Sequence, residues 1–192
     1  MSLEETTSLP VTVVFSTSGS KRAWYHRLLS WIIRKTLGSK QSHASIAFYV
    51  STNGGTPIKV VLEAESAGVW RIPWSRWRER HNKVIAEYEV LHDAELLREA
   101  LAWASENYVG RPYDFRGAGL AGLYRWFAIW IRGRFNSPLK LYCSELVLRT
   151  LNRAKMHLLG HFDPEVTGPK RLRARLDELP EYFSRVEHSG TS

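Results

Sequence analysis

The residue type best suited to nucleophilic chemistry occurs once in this sequence, as Cys143. It is followed by a largely apolar pattern at helical spacing, formed by Leu146, Val147, Thr150, Leu151, Ala154 and Leu158. This pattern predicts that Cys143 lies in the first turn of an amphipathic helix, where free N–H groups and the helix dipole stabilise a thiolate and can donate to an oxyanion. The alternative is a buried structural cysteine, because free cysteine is among the most buried residue types.

A histidine and two glutamates lie on two segments that have the composition of strands. Residues 42–50 and residues 58–65 are rich in β-branched and aromatic side chains, and the connection between them contains an Asn-Gly pair. These features predict an antiparallel hairpin. Period-two alternation places His43 opposite Glu63 in one register and opposite Glu65 in a register shifted by two. Both registers put a carboxylate on the face of the imidazole.

Together these residues supply the three groups that a cysteine nucleophile needs. A thiol requires a base within hydrogen-bond reach, and the base requires a group that orients it. His43 is the candidate base for Cys143, and Glu63 is the candidate for holding the His43 ring in the right tautomer. The competing interpretation of each is ordinary: His43 is one of seven histidines, and a glutamate at a strand edge is usually a solvated charge.

Four short motifs carry a family resemblance. In chain order they are Ser42-His43, Leu62-Glu63-Ala64 with Gly68-Val69, Val109-Gly110-Arg111-Pro112-Tyr113-Asp114, and Tyr142-Cys143-Ser144-Glu145-Leu146-Val147. This order resembles the circularly permuted branch of the papain-like, NlpC-type cysteine amidases and peptidases, the group related to the YaeF and YiiX proteins. In most papain-like enzymes the cysteine helix precedes the histidine strand, whereas here it follows it. The resemblance spans most of the chain, from about residue 11 to residue 158.

The resemblance implies a fold and a catalytic set. The fold is α+β, papain-like and circularly permuted, with an antiparallel sheet packed against helices and the catalytic cysteine at a helix N-terminus. The implied catalytic residues are Cys143, His43 and Glu63, with Glu63 favoured over Glu65. Tyr113 and Tyr142 are candidates for the oxyanion or substrate-binding donor that would assist the Cys143 N–H. The implied chemistry is a thioester acyl-enzyme that water resolves.

The function indicated is a thiol hydrolase, an amidase or peptidase, that acts on an amide or ester bond such as one in a cell-wall peptide. Two alternatives stay open: a lipid acyltransferase or thioesterase with the same triad, and a non-catalytic basic binding or structural module. A long apolar groove beside Cys143 would favour a lipid, and a short polar cleft a peptide stem. Since the sequence has no zinc-type His/Cys spacing and no glycine-rich phosphate loop, we expect no metal and no organic cofactor.

A formal net charge of +8 predicts attraction to an anionic partner such as a membrane or a wall polymer. The basic residues concentrate in residues 21–40, 125–134 and 170–175. The first two segments mix arginine with tryptophan and aliphatic residues, as interfacial helices do. Their apolar faces would equally suit packing on the domain. Nucleic acid is the weaker prediction, because no recognised binding motif accompanies the charge.

The length of 192 residues suits one domain, with a core over about residues 11–158 and a peripheral extension over residues 159–192. No apolar run is long enough to span a membrane, and residues 1–5 lack the pattern of a signal peptide. A single cysteine excludes an internal disulfide and suits a reducing compartment. We therefore expect a cytoplasmic protein that can be peripheral to a membrane or wall.

The remaining elements are predicted from turn, cap and periodicity signals. They are a strand over residues 11–15, a helix over residues 21–37 that stops at Gly38, a short helix after Pro73, a strand over residues 84–91, and a helix capped by Asp93 that runs to about Tyr108 and stops at Gly110.

Overall fold

A computed structural model of the protein describes residues 9–18, 43–51, 55–65, 67–114, 141–156, 163–164 and 167–187. Within these ranges the chain forms six strands and four helices. In chain order they are β1 (Thr12–Ser18), β2 (His43–Val50), β3 (Ile58–Glu65), β4 (Gly68–Pro73), α1 (Trp74–Arg80), β5 (His81–Val90), α2 (Ala94–Tyr108), α3 (Cys143–Arg153), α4 (Pro169–Asp177) and β6 (Phe183–Arg185). Four features of the sequence analysis lie outside the described residues. They are the predicted helix at residues 21–37, the basic segments at residues 21–40 and 125–134, and the Asn-Gly pair.

The described strands form one antiparallel sheet in the order β4-β3-β2-β1-β5-β6. The α+β class and the antiparallel sheet are therefore confirmed. The predicted hairpin is present as well, since β2 and β3 pair from Val50↔Ile58 to Ile46↔Leu62. Its first strand lies inside the sheet, which places His43 away from either edge.

Alternation along the strands divides the apolar residues between two faces of the sheet. One face carries Ile46, Leu62 and their neighbours, and it packs with residues of α2, α3 and α4 in the larger core. The opposite face carries Ala47 and Val61 and is covered by Trp77 of α1. The strands are thus buried on both sides, which explains why β2 is almost entirely buried along its length.

Two helices have the starts that their sequences predict. The Asp93 carboxylate accepts hydrogen bonds from the backbone N–H groups of Glu95 and Leu96, each 2.9 Å long, and α2 begins at the next residue. The helix α3 begins at Cys143, with Tyr142 as its N-cap residue. The cysteine side chain therefore projects from the first turn of a helix that packs on the sheet.

Two segments of the fold, residues 68–73 and residues 167–187, differ from the expectations. Residues 68–73 form the edge strand β4, which was not predicted, because an edge strand with exposed Trp70 and Arg71 lacks a clear apolar alternation. Residues 167–187 are not a peripheral extension. Leu172 and Leu176 of α4 are fully buried in the larger core, and β6 extends the sheet by pairing with β5.

In the part of the chain that the structure describes, no helix combines the length and the apolar character that crossing a bilayer requires.

Candidate active site

The candidate nucleophile and the candidate base are brought together by the packing of α3 on β2. Cys143 is the first residue of α3 and His43 is the first residue of β2. Both are buried, with 3 % and 8 % of their surface exposed, and their side chains form a hydrogen bond. The contact joins residues that are far apart in the sequence, as the catalytic interpretation requires.

The Cys143 sulfur lies among donors from four residues. His43 and the Tyr113 hydroxyl contact it with their side chains, and Ala44 and Ser144 contribute backbone N–H groups. Burial acts to raise the pKa of the Cys143 thiol, but the hydrogen bond and charge of His43 and the two N–H groups outweigh it and hold the pKa below its ordinary value. The site therefore favours the thiolate, which is the nucleophilic form.

The imidazole of His43 lies between the thiol and a carboxylate. Its Nε2 atom is 3.0 Å from Oε2 of Glu63, so the nitrogen that remains for Cys143 is Nδ1. Burial acts to lower the pKa of His43, but the hydrogen bonds and charges of Cys143 and Glu63 raise it to about 10. The pKa of His43 is raised and the pKa of Cys143 is lowered, and both shifts favour an imidazolium paired with a thiolate.

The Glu63 carboxylate is fully buried, and residues of α1 contact it in addition to His43. Nε1 of Trp77 donates to the same Oε2 atom over 2.9 Å, and Nη1 of Arg80 lies 4.0 Å from Oε1. Neither residue was singled out from the sequence. The local pattern that relates them is the spacing of Trp77 and Arg80, since residues three apart on a helix lie on the same face.

The predicted contact between His43 and Glu63 is present, but the strand register is the other of the two considered. Continuing the observed pairing beyond Ile46↔Leu62 in the same register brings His43 level with Glu65. Glu63, two residues before Glu65 in β3, meets the imidazole diagonally, within the reach of a long side chain. Glu65, at the end of β3, is partly buried.

The two candidate tyrosines have different surroundings. The Tyr113 hydroxyl contacts the Cys143 thiol, and burial together with the nearby thiol raises its pKa well above the ordinary value, so it stays protonated and able to donate. The Tyr142 hydroxyl instead donates to the carbonyl oxygen of Pro164 over 2.6 Å and receives the backbone N–H of Thr167. The geometry therefore favours Tyr113 as the donor near the nucleophile.

Backbone hydrogen bonds hold Tyr113 in place from two sides. On one side, the N–H of Val69 in β4 donates to the carbonyl of Arg111, and the N–H of Gly110 donates back to the carbonyl of Val69, each over 2.9 Å. On the other side, Tyr113 forms a parallel bridge with Leu141, two residues before the cysteine. Main-chain contacts thus join the Gly68-Val69 motif to the motif that contains Tyr113, and join the latter to the residue just before the cysteine motif.

The same end of the sheet contains a set of atoms with metal-ligating chemistry. One ligand atom each from His43, Glu63 and Glu65 lies within 4.8 Å of the others. Nε2 of His43 and Oε2 of Glu63 already bond to each other, so a cation in this position would replace that hydrogen bond. Among the described residues, the geometry fits the thiol site better than a metal centre.

Comparisons of the chain with protein-family models, with curated proteins and with solved structures found no match.

Proposed function

We propose that the protein is a cysteine hydrolase of the circularly permuted papain-like, NlpC-type class, acting on an amide or ester bond. The observation that carries this proposal is the buried hydrogen-bonded series Cys143–His43–Glu63 at the start of a helix. The cysteine helix packs against the histidine strand of an antiparallel sheet, and the histidine strand precedes the cysteine helix in the chain, which further supports the permuted class.

The proposed reaction follows from the placement of each group. The Cys143 thiolate attacks the acyl carbon, and the charge that develops on the acyl oxygen receives hydrogen bonds from the Cys143 N–H and the Tyr113 hydroxyl. The His43 imidazolium gives its proton to the leaving amine or alcohol as that bond breaks, which leaves a thioester on Cys143. Neutral His43 then takes a proton from water, whose oxygen attacks the thioester, and the acid product leaves with the thiolate and imidazolium restored.

Glu63 supports this cycle as a carboxylate and neither gains nor loses a proton. Its carboxylate holds Nε2 of His43, so that Nδ1 stays aimed at the sulfur throughout both half-reactions. A negative charge beside the ring also stabilises the imidazolium that pairs with the thiolate. In a binding module that lacks catalysis, such a buried charged series would only cost desolvation energy.

The first test is the reactivity of the thiol at mildly acidic pH. Iodoacetamide at about pH 5.5 alkylates an ordinary cysteine slowly, because almost none of it is thiolate. We expect Cys143 of the native protein to be modified at least about tenfold faster than free cysteine, and His43→Ala to abolish the advantage. A native rate no faster than that of free cysteine would contradict the proposal.

The second test detects the covalent intermediate, which is an acyl thioester on Cys143. The protein is mixed with an activated ester such as p-nitrophenyl acetate, and the intact mass is followed at short times. The proposal predicts a transient acetyl adduct that is absent from Cys143→Ser, whereas a binding module forms none. Panels of γ-glutamyl peptides and of long-chain acyl thioesters then separate a peptide substrate from a lipid acyl group.

A further inference from the structure

The helix α1 lies on the sheet face opposite to the larger core and reaches the Glu63 carboxylate from there. Its Trp77 is fully buried, and the indole N–H donates to Oε2 of Glu63. That oxygen is the one that meets Nε2 of His43, so one carboxylate oxygen has donors on two sides. The two hydrogen bonds are 2.9 and 3.0 Å long, which is the ordinary range for well-formed bonds.

The indole ring of Trp77 is itself held by further contacts on this face. It stacks on Trp74 with ring centroids 4.9 Å apart and planes inclined by 16°. Nζ of Lys59 lies 4.1 Å from the centre of the Trp74 ring, and the same ammonium pairs with Glu87 at 2.9 Å. The indole that donates to Glu63 therefore packs against a second aromatic ring, and the N–H donor belongs to Trp77 alone.

We propose that Trp77 is a positioning residue for the Cys143 site, whose indole N–H keeps the Glu63 carboxylate turned toward His43. This inference rests on the proposed function. It assigns to α1 the task of holding the orienting group, whereas the larger core on the other side of the sheet holds the nucleophile.

The physical reason is that a glutamate has three side-chain torsions and needs more than one contact to stay in one orientation. Hydrogen bonds to an ionised carboxylate are about twice as strong as bonds between neutral groups. When the indole donor is removed, the anion keeps its contact with His43 but is less stabilised and less restricted in its torsions, so it holds the His43 ring less well. The thiolate–imidazolium pair should then form only at higher pH.

The test compares two matched substitutions, Trp77→Phe and Trp74→Phe. Each removes an indole from the same stack, but only the first removes the donor to Glu63. The readout is the rate of iodoacetamide alkylation as a function of pH, together with the urea unfolding midpoint of each variant. We expect Trp77→Phe to slow alkylation about tenfold at pH 6 and to move the acid limb to higher pH. Trp74→Phe should leave the limb where it is in the native protein.

A second variant protects the test against a folding defect. Replacement of Trp77 by 3-benzothienylalanine keeps a bicyclic ring of nearly the same shape and lacks only the N–H donor. A displaced acid limb in this variant supports the positioning role. An unchanged limb, or an equal displacement in Trp74→Phe, overturns it while leaving the proposed hydrolase intact. If the native thiol itself lacks reactivity in acid, the proposed function fails, and the inference fails with it.

Discussion

Gly68 of β4 lies directly against the carbonyl group of Arg111. A Cβ atom added at Gly68 would lie 2.6 Å from the Arg111 oxygen, and the residue has a φ of +121°. The adjacent N–H of Val69 donates to that same oxygen. Only glycine allows the two backbones to come so close, and this approach positions the segment that leads to Tyr113.

The first prediction concerns this contact. Gly68→Ala should lower the free energy of unfolding by about 2–4 kcal/mol, since it combines an unfavourable φ with an overlap against a backbone atom. It should also slow alkylation of Cys143, because the Tyr113 segment must shift. Urea unfolding and the alkylation rate measure the two effects.

Gly110→Ala is the control for this prediction. Gly110 also has a positive φ, of +88°, but an added Cβ there would meet nothing within 4 Å. This variant should lose only about 1 kcal/mol and keep its thiol reactivity. Equal losses of stability in the two variants would mean that the close approach to Arg111 contributes nothing.

The second prediction distinguishes the two glutamates of β3. Glu63→Gln keeps the size of the side chain but removes the charge that faces His43, and it should lower turnover of the activated ester by about ten- to ten-thousandfold. Glu65→Gln is the matched control, because Glu65 lies two residues after Glu63 in β3. If turnover falls with Glu65→Gln and is preserved in Glu63→Gln, the orienting carboxylate has been misassigned.

The third prediction distinguishes the two tyrosines. Tyr113→Phe removes the hydroxyl beside the sulfur and should lower turnover by about 10- to 1,000-fold without a comparable loss of stability. Tyr142→Phe removes the bond to the Pro164 carbonyl and should cost about 1–3 kcal/mol of stability with little effect on turnover. Turnover and unfolding are measured on both variants, and the opposite pattern would assign the oxyanion donor to Tyr142.

The fourth prediction concerns stability as a function of pH. Glu145, in the first turn of α3, is 1 % exposed, and its Oε1 accepts from Nε of Arg149 over 2.8 Å. Burial outweighs this ion pair and raises the pKa of Glu145 from 4.5 to about 7. The folded-state pKa is higher than the unfolded-state pKa, so the folded protein favours the protonated form of Glu145. The stability that this protonation contributes is fully present below pH 4.5 and is lost as the pH rises through about 7.

Glu145→Gln removes this titration, so the native protein should lose stability relative to the variant across that pH range. Urea unfolding at a series of pH values measures the difference. The exposed Glu178, which pairs with Arg175, provides the control through Glu178→Gln. Parallel stability curves for the native protein and Glu145→Gln would contradict the prediction.

The fifth prediction concerns the basic segment at residues 125–134. Its arginines and tryptophans predict attachment to an anionic surface, so the protein should bind anionic liposomes or wall fragments at low salt and release them as the salt concentration rises. Replacing Arg125, Arg132 and Arg134 with Ala should weaken this binding. Binding that is absent at low salt, or unchanged in the triple variant, would leave the segment with a structural role only.

The features that the sequence predicts well are those specified by neighbouring residues. The start of α2 follows from Asp93, whose side chain satisfies N–H groups two and three residues away. The start of α3 at Cys143 follows from apolar periodicity over a few turns, and the hairpin of β2 and β3 from alternation on both sides of a turn signal. Each of these is a short-range interaction, so a local pattern contains the necessary information.

The tertiary structure alone decided which residues that are distant in the sequence come into contact. Alternation along β2 and β3 allowed two registers, and the choice between them depends on packing against β1, β4 and the helices. The contact of Trp77 with Glu63 and the different directions of the Tyr113 and Tyr142 hydroxyls likewise depend on how separate elements dock. Such contacts join residues that share no local sequence pattern. Their geometry depends on the close packing of separate elements in the core.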